Sequence, residues 1–131
     1  MLSSAKTFKG SALFLGFFGL QFLLVPDFLF SENFQQGSYN LDKWHYFMAR
    51  GTGCAFLSLA CFYWTAANDA DKFMLLSTLT FGLTSIMLPY NAQMNFPVNM
   101  PKHLIPVVGC TVLLLAHINC LLNGGGKDKK N

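Results

Sequence analysis

Arg50 and Asp27 are two charged residues that lie at the edges of long apolar stretches in this 131-residue sequence. Arg50 falls about one turn inside one stretch, and Asp27 follows Pro26 at the end of another. A guanidinium costs roughly 2.5–3.5 kcal/mol to place at the centre of a bilayer, and less near its surface. Arg50 can therefore extend to the lipid headgroups, pair with Asp27, or bind an anionic lipid or another ligand. The sequence indicates both residues as candidate contacts for a ligand or a lipid headgroup.

His117 and Gln21 are candidate axial ligands for the metal of one tetrapyrrole. The alternative for His117 is a hydrogen bond to a neighbouring helix, which is common for polar side chains inside membranes. A haem held by two histidines is disfavoured, because His45 and His103 fall at the opposite end of the apolar stretches. A chlorophyll needs one axial ligand, so it is the pigment to expect if the protein is photosynthetic. Lipid is the other candidate cofactor.

The four cysteines give no metal-binding pattern. There is no C-x-x-C, and the cysteines and histidines do not form a set with the spacing of a zinc site. Buried thiols of this kind behave as small apolar side chains. The sequence also lacks a phosphate loop, a nucleophile elbow, an H-E-x-x-H motif and paired carboxylates. We therefore predict neither a bound metal nor an enzyme. The cysteines are Cys54, Cys61, Cys110 and Cys120.

A stripe of small and polar side chains follows one face of the second apolar stretch. Its members are three or four residues apart, the spacing at which side chains share a helix face. In a membrane such a stripe more often packs against another helix than lines a pathway, and we predict packing here. This small-polar stripe consists of Arg50, Cys54, Ser58, Cys61 and Thr65.

The composition excludes several classes of protein. Hydrophobic residues make up 53% of the chain and charged residues 11%, against about 25% charged residues in an ordinary soluble domain. A small soluble fold needs more polar surface than this chain can supply. The net charge of +3 is too small to indicate a nucleic-acid partner. The sequence therefore predicts a membrane protein and argues against a soluble enzyme, a nucleic-acid binder and a disordered chain.

Four apolar stretches are long enough to cross a bilayer as helices, which takes about 17–25 residues. They are residues 8–30, 46–67, 73–89 and 104–122. Backbone groups in lipid must be hydrogen-bonded within their own segment, so helices are expected. The predicted fold class is all-α: a single polytopic domain over residues 1–123 that forms a bundle of four transmembrane helices. Residues 124–131 are predicted to form a flexible basic tail.

The positions of the basic residues predict the orientation of the bundle. Six lysines fall on the side that holds both termini, and two lysines with Arg50 fall on the other. Basic residues prefer the cytosolic side, so both termini are predicted to face the cytosol, matrix or stroma. The basic, acid-free N-terminus favours a mitochondrial inner membrane or a thylakoid membrane. Lys127 and Lys129 resemble a dilysine retrieval signal, which makes the endoplasmic reticulum the alternative.

An internal repeat aligns the first two predicted helices with the last two. The matched motifs are Phe18-Gly19-Leu20…Pro26 with Phe81-Gly82-Leu83…Pro89, and Gly53-Cys54 with Gly109-Cys110. Two copies of a helical hairpin keep the same orientation in a membrane, so the predicted pseudo-twofold axis lies along the membrane normal. Gly19 and Gly82 are predicted to allow close approach of helices. Pro26 and Pro89 are predicted to end or kink theirs.

The first half of the chain combines the motifs Gly19-Leu20-Gln21, Pro26-Asp27-Phe28 and Arg50-Gly51-x-Gly53-x-x-x-Leu57. This arrangement covers about residues 15–67 and resembles the small four-helix membrane proteins of the DoxX-like type. Those proteins often carry a Gly-rich first helix that ends in Pro, and a second helix opened by Arg and Gly. The resemblance implies an architecture and little about chemistry.

Three function classes remain, and the least supported is a membrane enzyme or redox module. The first is a non-catalytic accessory subunit of a larger membrane energy-transducing complex, which contributes helix packing and lipid or pigment contacts. Its partners would be membrane lipids and other transmembrane subunits, and no nucleic acid. The alternative is a small lipid- or quinone-binding membrane protein with a cavity between the two repeats.

Overall fold

A computed structural model describes the fold over residues 3–69, 71, 74, 89 and 91–123. These residues are mainly helical, and their single strand-like pairing is an isolated bridge between Phe34 and Val98. The predicted all-α fold class is confirmed. The predicted span 73–89 lies outside the described residues apart from Met74 and Pro89, and so does the predicted tail at 124–131.

The first predicted span is two helices. α1 covers Ser4–Leu24 and α2 covers Pro26–Asn33. Pro26 has no N–H to donate, and Val25 before it leaves the helical conformation, with φ −135° and ψ 55°. The break confirms the interpretation of Pro26 as a helix end. It corrects the prediction of one continuous helix over 8–30.

α3 covers Lys43–Ala66 and continues into one 3₁₀ turn at Ala67–Asp69. It begins slightly before the predicted span 46–67, because the Asp42 carboxylate caps its first turn by accepting a 2.9 Å hydrogen bond from the backbone N–H of His45. The backbone bond and a further bond to the His45 ring hold the pKa of Asp42 below its usual value.

α4 covers Leu104–Leu122, the range that the sequence predicts for the last span. Among the described helices, α1 and α4 are long and apolar enough to cross a membrane, with mean hydropathies of 1.4 and 2.1. Only 22% of the most apolar window of α4 is buried within the chain. A core helix of a soluble protein would bury most of that surface, so α4 presents an apolar face outward.

α1 and α3 cross with their backbones in contact. A Cβ atom added to Gly53 would stand 2.8 Å from the carbonyl oxygen of Gly19 and 2.8 Å from the backbone nitrogen of Leu23. A Cβ atom added to Gly19 would stand 3.1 Å from the Gly53 oxygen. The predicted role of Gly19 in close helix approach is confirmed, and Gly82 lies outside the described residues.

α1 is antiparallel to both α3 and α4. The ring of Phe8, near the start of α1, lies 5.0 Å from the ring of Tyr63 near the end of α3. It lies 6.1 Å from the ring of His117 near the end of α4. The start of α1 and the ends of α3 and α4 therefore share one end of the molecule. We call it the packed end, and define it by Thr7, Phe8, Tyr63, His117 and Cys120.

The packed end is filled by side chains from all three helices. Phe8 is 0% exposed and Thr7 is 1% exposed. The Thr7 hydroxyl lies 3.2 Å from the Cys120 sulfur, and the Ser11 hydroxyl donates a 3.0 Å hydrogen bond to the Thr7 carbonyl. These partners avoid the free-energy cost that an unpaired buried hydroxyl would carry.

A candidate binding cavity

A cavity of about 350 Å³ lies at the opposite end of the molecule, which we call the cavity end. Side chains from all four described α-helices form its walls. The lining that the structure describes contains no Asp, Glu, Lys or Arg. It consists of Phe14, Leu15, Phe18, Phe22, Leu29, Phe30, Asn33, Phe34, Thr52, Phe56, Pro89, His103, Pro106 and Cys110. Its size and apolar walls are those of a site for a small ligand.

Phenylalanines spaced four apart on α1 form the longest wall. Phe14, Phe18 and Phe22 share one face of the helix because four residues complete slightly more than one turn. The Phe14 ring lies directly on Gly109 of α4, where an added Cβ atom would overlap it. The ring of Phe22 meets that of Phe56 from α3 edge-on, at 5.8 Å between centroids. Glycine on one helix thus makes room for an aromatic ring from another.

α2 and the segment before α4 close one side of the cavity. The backbone N–H of Gln35 donates to the Pro97 carbonyl at 3.0 Å, and that of Asn99 donates to the Asn33 carbonyl at 2.9 Å. Outside these bonds, the Lys102 ammonium lies 2.7 Å from the Glu32 carboxylate. The two segments form one layer that holds several lining residues in place.

His103 is the lining residue whose polar atoms are most deeply buried. The residue as a whole is 3% exposed. Nε2 lies 3.0 Å from the carbonyl oxygen of Pro89, which can only accept, so Nε2 carries the proton. Nδ1 is buried and has no hydrogen-bond partner within the described part of the chain. Buried polar atoms usually have a hydrogen-bond partner, so the unpaired Nδ1 requires an explanation.

Two other polar side chains on the wall bond to their own helices. The Asn33 amide donates to the Leu29 carbonyl at 2.7 Å. The Thr52 hydroxyl donates to the Met48 carbonyl at 2.9 Å. Such bonds to the preceding turn use one N–H of the Asn33 amide and the O–H of Thr52, and the rest of the described lining is mostly apolar.

The structure does not bring His117 and Gln21 together. His117 lies at the packed end, where its Nδ1 is 2.7 Å from the Leu113 carbonyl. Gln21 is thirteen residues beyond Phe8 along α1, which corresponds to about 20 Å of helix. Neither residue lines the cavity. The proposed axial ligation of a tetrapyrrole by either residue stays a prediction.

Arg50 and Asp27 are both exposed, and neither lines the cavity. Asp27 accepts a short hydrogen bond from the hydroxyl of Tyr46, one turn before Arg50 on α3. No ion pair joins Arg50 to Asp27 in the described structure. The two residues stay candidate headgroup contacts on the outer surface, while the Asp27 carboxylate takes a phenol as its partner in place of the guanidinium.

The small-polar stripe faces outward. All five members are exposed, and no helix covers them among the described residues. The hydroxyls of Ser58 and Thr65 donate to the carbonyls of Cys54 and Cys61, each at 2.9 Å. The face of α3 that packs against α1 is the other one, which carries Ala49, Gly53, Ala60 and Tyr63. The predicted helix contact of this stripe is therefore not found inside the described chain.

The sequence offered a cavity between the two repeats as an alternative but did not identify the residues that line this one, although a signal for them was present. The regular spacing of Phe14, Phe18 and Phe22 marks one aromatic face on α1, and Gly109 marks a gap on α4. The sequence does not state that these two features meet. The sequence places His103 just before the last apolar stretch, and its position on the wall follows from the turn that begins α4.

Comparison with known proteins identifies a family without a described activity. The profile of a domain of unknown function, DUF8292, matches residues 9–131. Neither the comparison with curated proteins nor that with solved structures finds a match. The profile covers most of α1 and all of α2, α3 and α4, and with them every described residue that lines the cavity. The chain therefore belongs to the DUF8292 family.

Proposed function

We propose that this protein is a non-enzymatic membrane protein that binds a small lipophilic molecule, a lipid or a quinone, in the cavity between its helices. The observation that carries the proposal is the cavity itself. It has about 350 Å³ of space and a described lining free of ionisable acids and bases other than His103 and Cys110. An apolar ligand entering it would leave water or lipid for a wall of matching character.

Two features of the fold support a position inside a membrane. α1 and α4 are long and apolar enough to span one. Large apolar side chains also stand exposed on α3, among them Trp44 at 72% and Phe47 at 66%. Contact with lipid tails carries no free-energy cost for such side chains, whereas contact with water does. We propose the four-span bundle predicted from the sequence, with both termini on the cytosolic, matrix or stromal side.

Filling the cavity tests the proposal. Cys110 lines the cavity, and Cys54, its partner in the predicted repeat, is exposed on α3. Cys110→Phe would place a ring in the space, and Cys54→Phe would place the same ring on the outer surface. We expect purified wild-type protein and Cys54→Phe to retain a fluorescent lipophilic probe such as a pyrene-labelled alcohol. Cys110→Phe should retain at least tenfold less.

The comparison is made in nanodiscs, with empty discs as the blank and circular dichroism to verify that both variants are folded. Equal retention by the two phenylalanine variants would show that the probe binds elsewhere, and the proposal would fail. Mass spectrometry of the native complex then identifies what the wild-type protein carries from its own membrane.

An accessory subunit is the second candidate, and the outward-facing stripe on α3 favours it. Small residues let a partner helix approach closely, and the stripe has no such partner in the described chain. Ser58→Trp would block this face, and Phe62→Trp changes an exposed neighbour by little. Native electrophoresis in mild detergent should show a large complex that is lost only in Ser58→Trp. A monomer in the wild type would contradict this function.

A further inference from the structure

We propose that the ligand of the cavity is uncharged and carries a hydroxyl group that donates a hydrogen bond to Nδ1 of His103. This inference rests on the proposed binding function and names the chemical class of the ligand. It follows from the proton on the His103 ring, the absence of charge in the described walls, and the volume of the space.

The tautomer of His103 determines what the ligand must offer. A carbonyl oxygen accepts hydrogen bonds and cannot donate them, so the 3.0 Å contact with Pro89 requires the proton on Nε2. In the neutral ring Nδ1 then holds a lone pair and no proton. This atom is buried without a described partner. A hydroxyl satisfies it, whereas a ketone, an ether or a plain hydrocarbon does not.

The ligand is uncharged because nothing in the described walls would balance a charge. Glu32 and Lys102, the ion pair of the closing layer, lie 2.7 Å from each other and outside the lining. An unpaired ion in an apolar cavity carries a desolvation penalty that a single imidazole cannot offset. Phosphates and carboxylates are therefore disfavoured as the buried part of the ligand.

The volume limits the buried part to a compact group. About 350 Å³ is near the lower end of the range for small-molecule sites. A substituted phenol ring or a short chain fits that description, and a whole phospholipid does not. Edge and face contacts with the phenylalanine walls would favour an aromatic ring over a chain.

A side chain near His103 must move for the contact to form, and Phe34 is one such neighbour. Its ring is 6.3 Å from that of His103 between centroids, and it also lines the cavity. Nδ1 is enclosed, so a hydroxyl reaches it when a neighbouring ring such as Phe34 shifts toward the empty space. Side-chain adjustments of this size are common when ligands bind.

Two pairs of probes test the inference in wild-type protein. 4-Octylphenol and its methyl ether differ in a single group, O–H against O–CH₃, and only the O–H group can donate a hydrogen bond. The same holds for 1-decanol and its methyl ether. Retention in nanodiscs is measured by mass spectrometry after gel filtration, and is normalised to the Cys110→Phe variant to remove partition into lipid. We expect each alcohol to be retained about 3- to 10-fold better than its ether, the ratio for one net hydrogen bond. A larger alcohol-to-ether ratio for the phenol pair would indicate a ligand with an aromatic ring. A larger ratio for the decanol pair would indicate a ligand with an alkyl chain.

Histidine variants locate the contact. His103→Phe should abolish the preference for the alcohol while keeping retention of the ether. His117→Phe is the matched control, since both histidines are 3% exposed; it should keep the preference. If His103→Phe does not fold, the wild-type ratios decide alone. Equal retention of alcohol and ether by wild type would overturn this inference and leave the binding function standing. Retention of no probe above the Cys110→Phe level would overturn the binding function as well.

Discussion

The two ends of the molecule each bury a histidine, and the local chemistry of these residues is nearly the same. His103 and His117 are each 3% exposed. Each places one ring nitrogen against a backbone carbonyl, at 3.0 Å for His103 and 2.7 Å for His117. Each leaves the other nitrogen buried and without a partner in the described structure. A list of hydrogen bonds would not distinguish them.

The surroundings distinguish them. The ring of His117 has the rings of Phe8 and Tyr63 close by, at 6.1 Å and 6.5 Å between centroids. His103 stands on the wall of a cavity. An unpaired nitrogen in a filled core lowers stability and has no means of gaining a partner. A ligand in an adjacent cavity can reach an unpaired nitrogen in the cavity wall after a small side-chain shift. A buried polar atom thus indicates a site only when the packing around it leaves room.

The largest effect on stability should come from replacing one phenylalanine by alanine at each end. Phe8→Ala at the packed end removes a side chain that is fully enclosed, and should lower the free energy of unfolding by about 3–5 kcal/mol. Phe22→Ala at the cavity end removes a half-buried ring that already faces empty space, and should cost about half as much. Thermal unfolding in one detergent, followed by circular dichroism, measures both. Equal losses would show that the two ends are packed alike, contrary to this comparison.

A second, smaller contrast separates the two glycines that the repeat aligns. Gly53→Ala forces a Cβ atom against the backbone of α1, which cannot move alone, and should cost about 2 kcal/mol. Gly109→Ala meets the Phe14 ring, which can turn into the cavity, and should cost under about 1 kcal/mol. The ring would then occupy ligand space, so Gly109→Ala should also reduce probe retention.

Gly51→Ala is the control for both variants, because nothing lies within 4 Å of its added Cβ atom. It should be neutral or slightly stabilising, since alanine favours helix more than glycine does. A loss of stability in Gly51→Ala as large as that in Gly53→Ala would remove the backbone contact as the explanation.

The smallest effect is expected at the layer that closes the cavity. Glu32→Gln removes the ion pair with Lys102. The Glu32 side chain is 34% exposed and the Lys102 side chain is 50% exposed. Exposed pairs contribute roughly 0–1 kcal/mol, so the melting temperature should hardly change. The rate of probe release should rise by a few-fold at low salt and little at high salt, because salt screens the pair in the wild type. Release that is insensitive to both the variant and the salt would show that this layer does not gate the cavity.

The sequence predicted the parts of the fold that depend on local rules. The bounds of α4 follow from its length and composition, the break at Val25 follows from the missing N–H of Pro26, and the close approach at Gly19 follows from the absence of a side chain. These properties belong to one helix at a time. They can be derived without knowing which helices are neighbours.

The candidate site could not be predicted in the same way, because it exists only between helices. Phe14 and Gly109 are far apart in sequence, and their contact depends on how α1 and α4 are aligned. The Arg50–Asp27 ion pair is not found in the described structure for a related reason. The Tyr46 hydroxyl donates to the Asp27 carboxylate, and this contact between α2 and α3 cannot be derived from residue spacing. The predicted repeat is untested, because one of its four helices lies outside the described residues.

The central position of α1 has a consequence for the making of the protein. α1 leaves the ribosome before α4, yet the Thr7 hydroxyl meets Cys120 across 113 positions of the chain. At about 5–20 residues per second, that partner arrives roughly 6–23 s later. In the interval the buried hydroxyls of α1 must bond along their own helix, as Ser11 does with the Thr7 carbonyl, or be shielded by an insertion factor. A chain that stops before α4 would keep its first helix and lose the packed end that holds it.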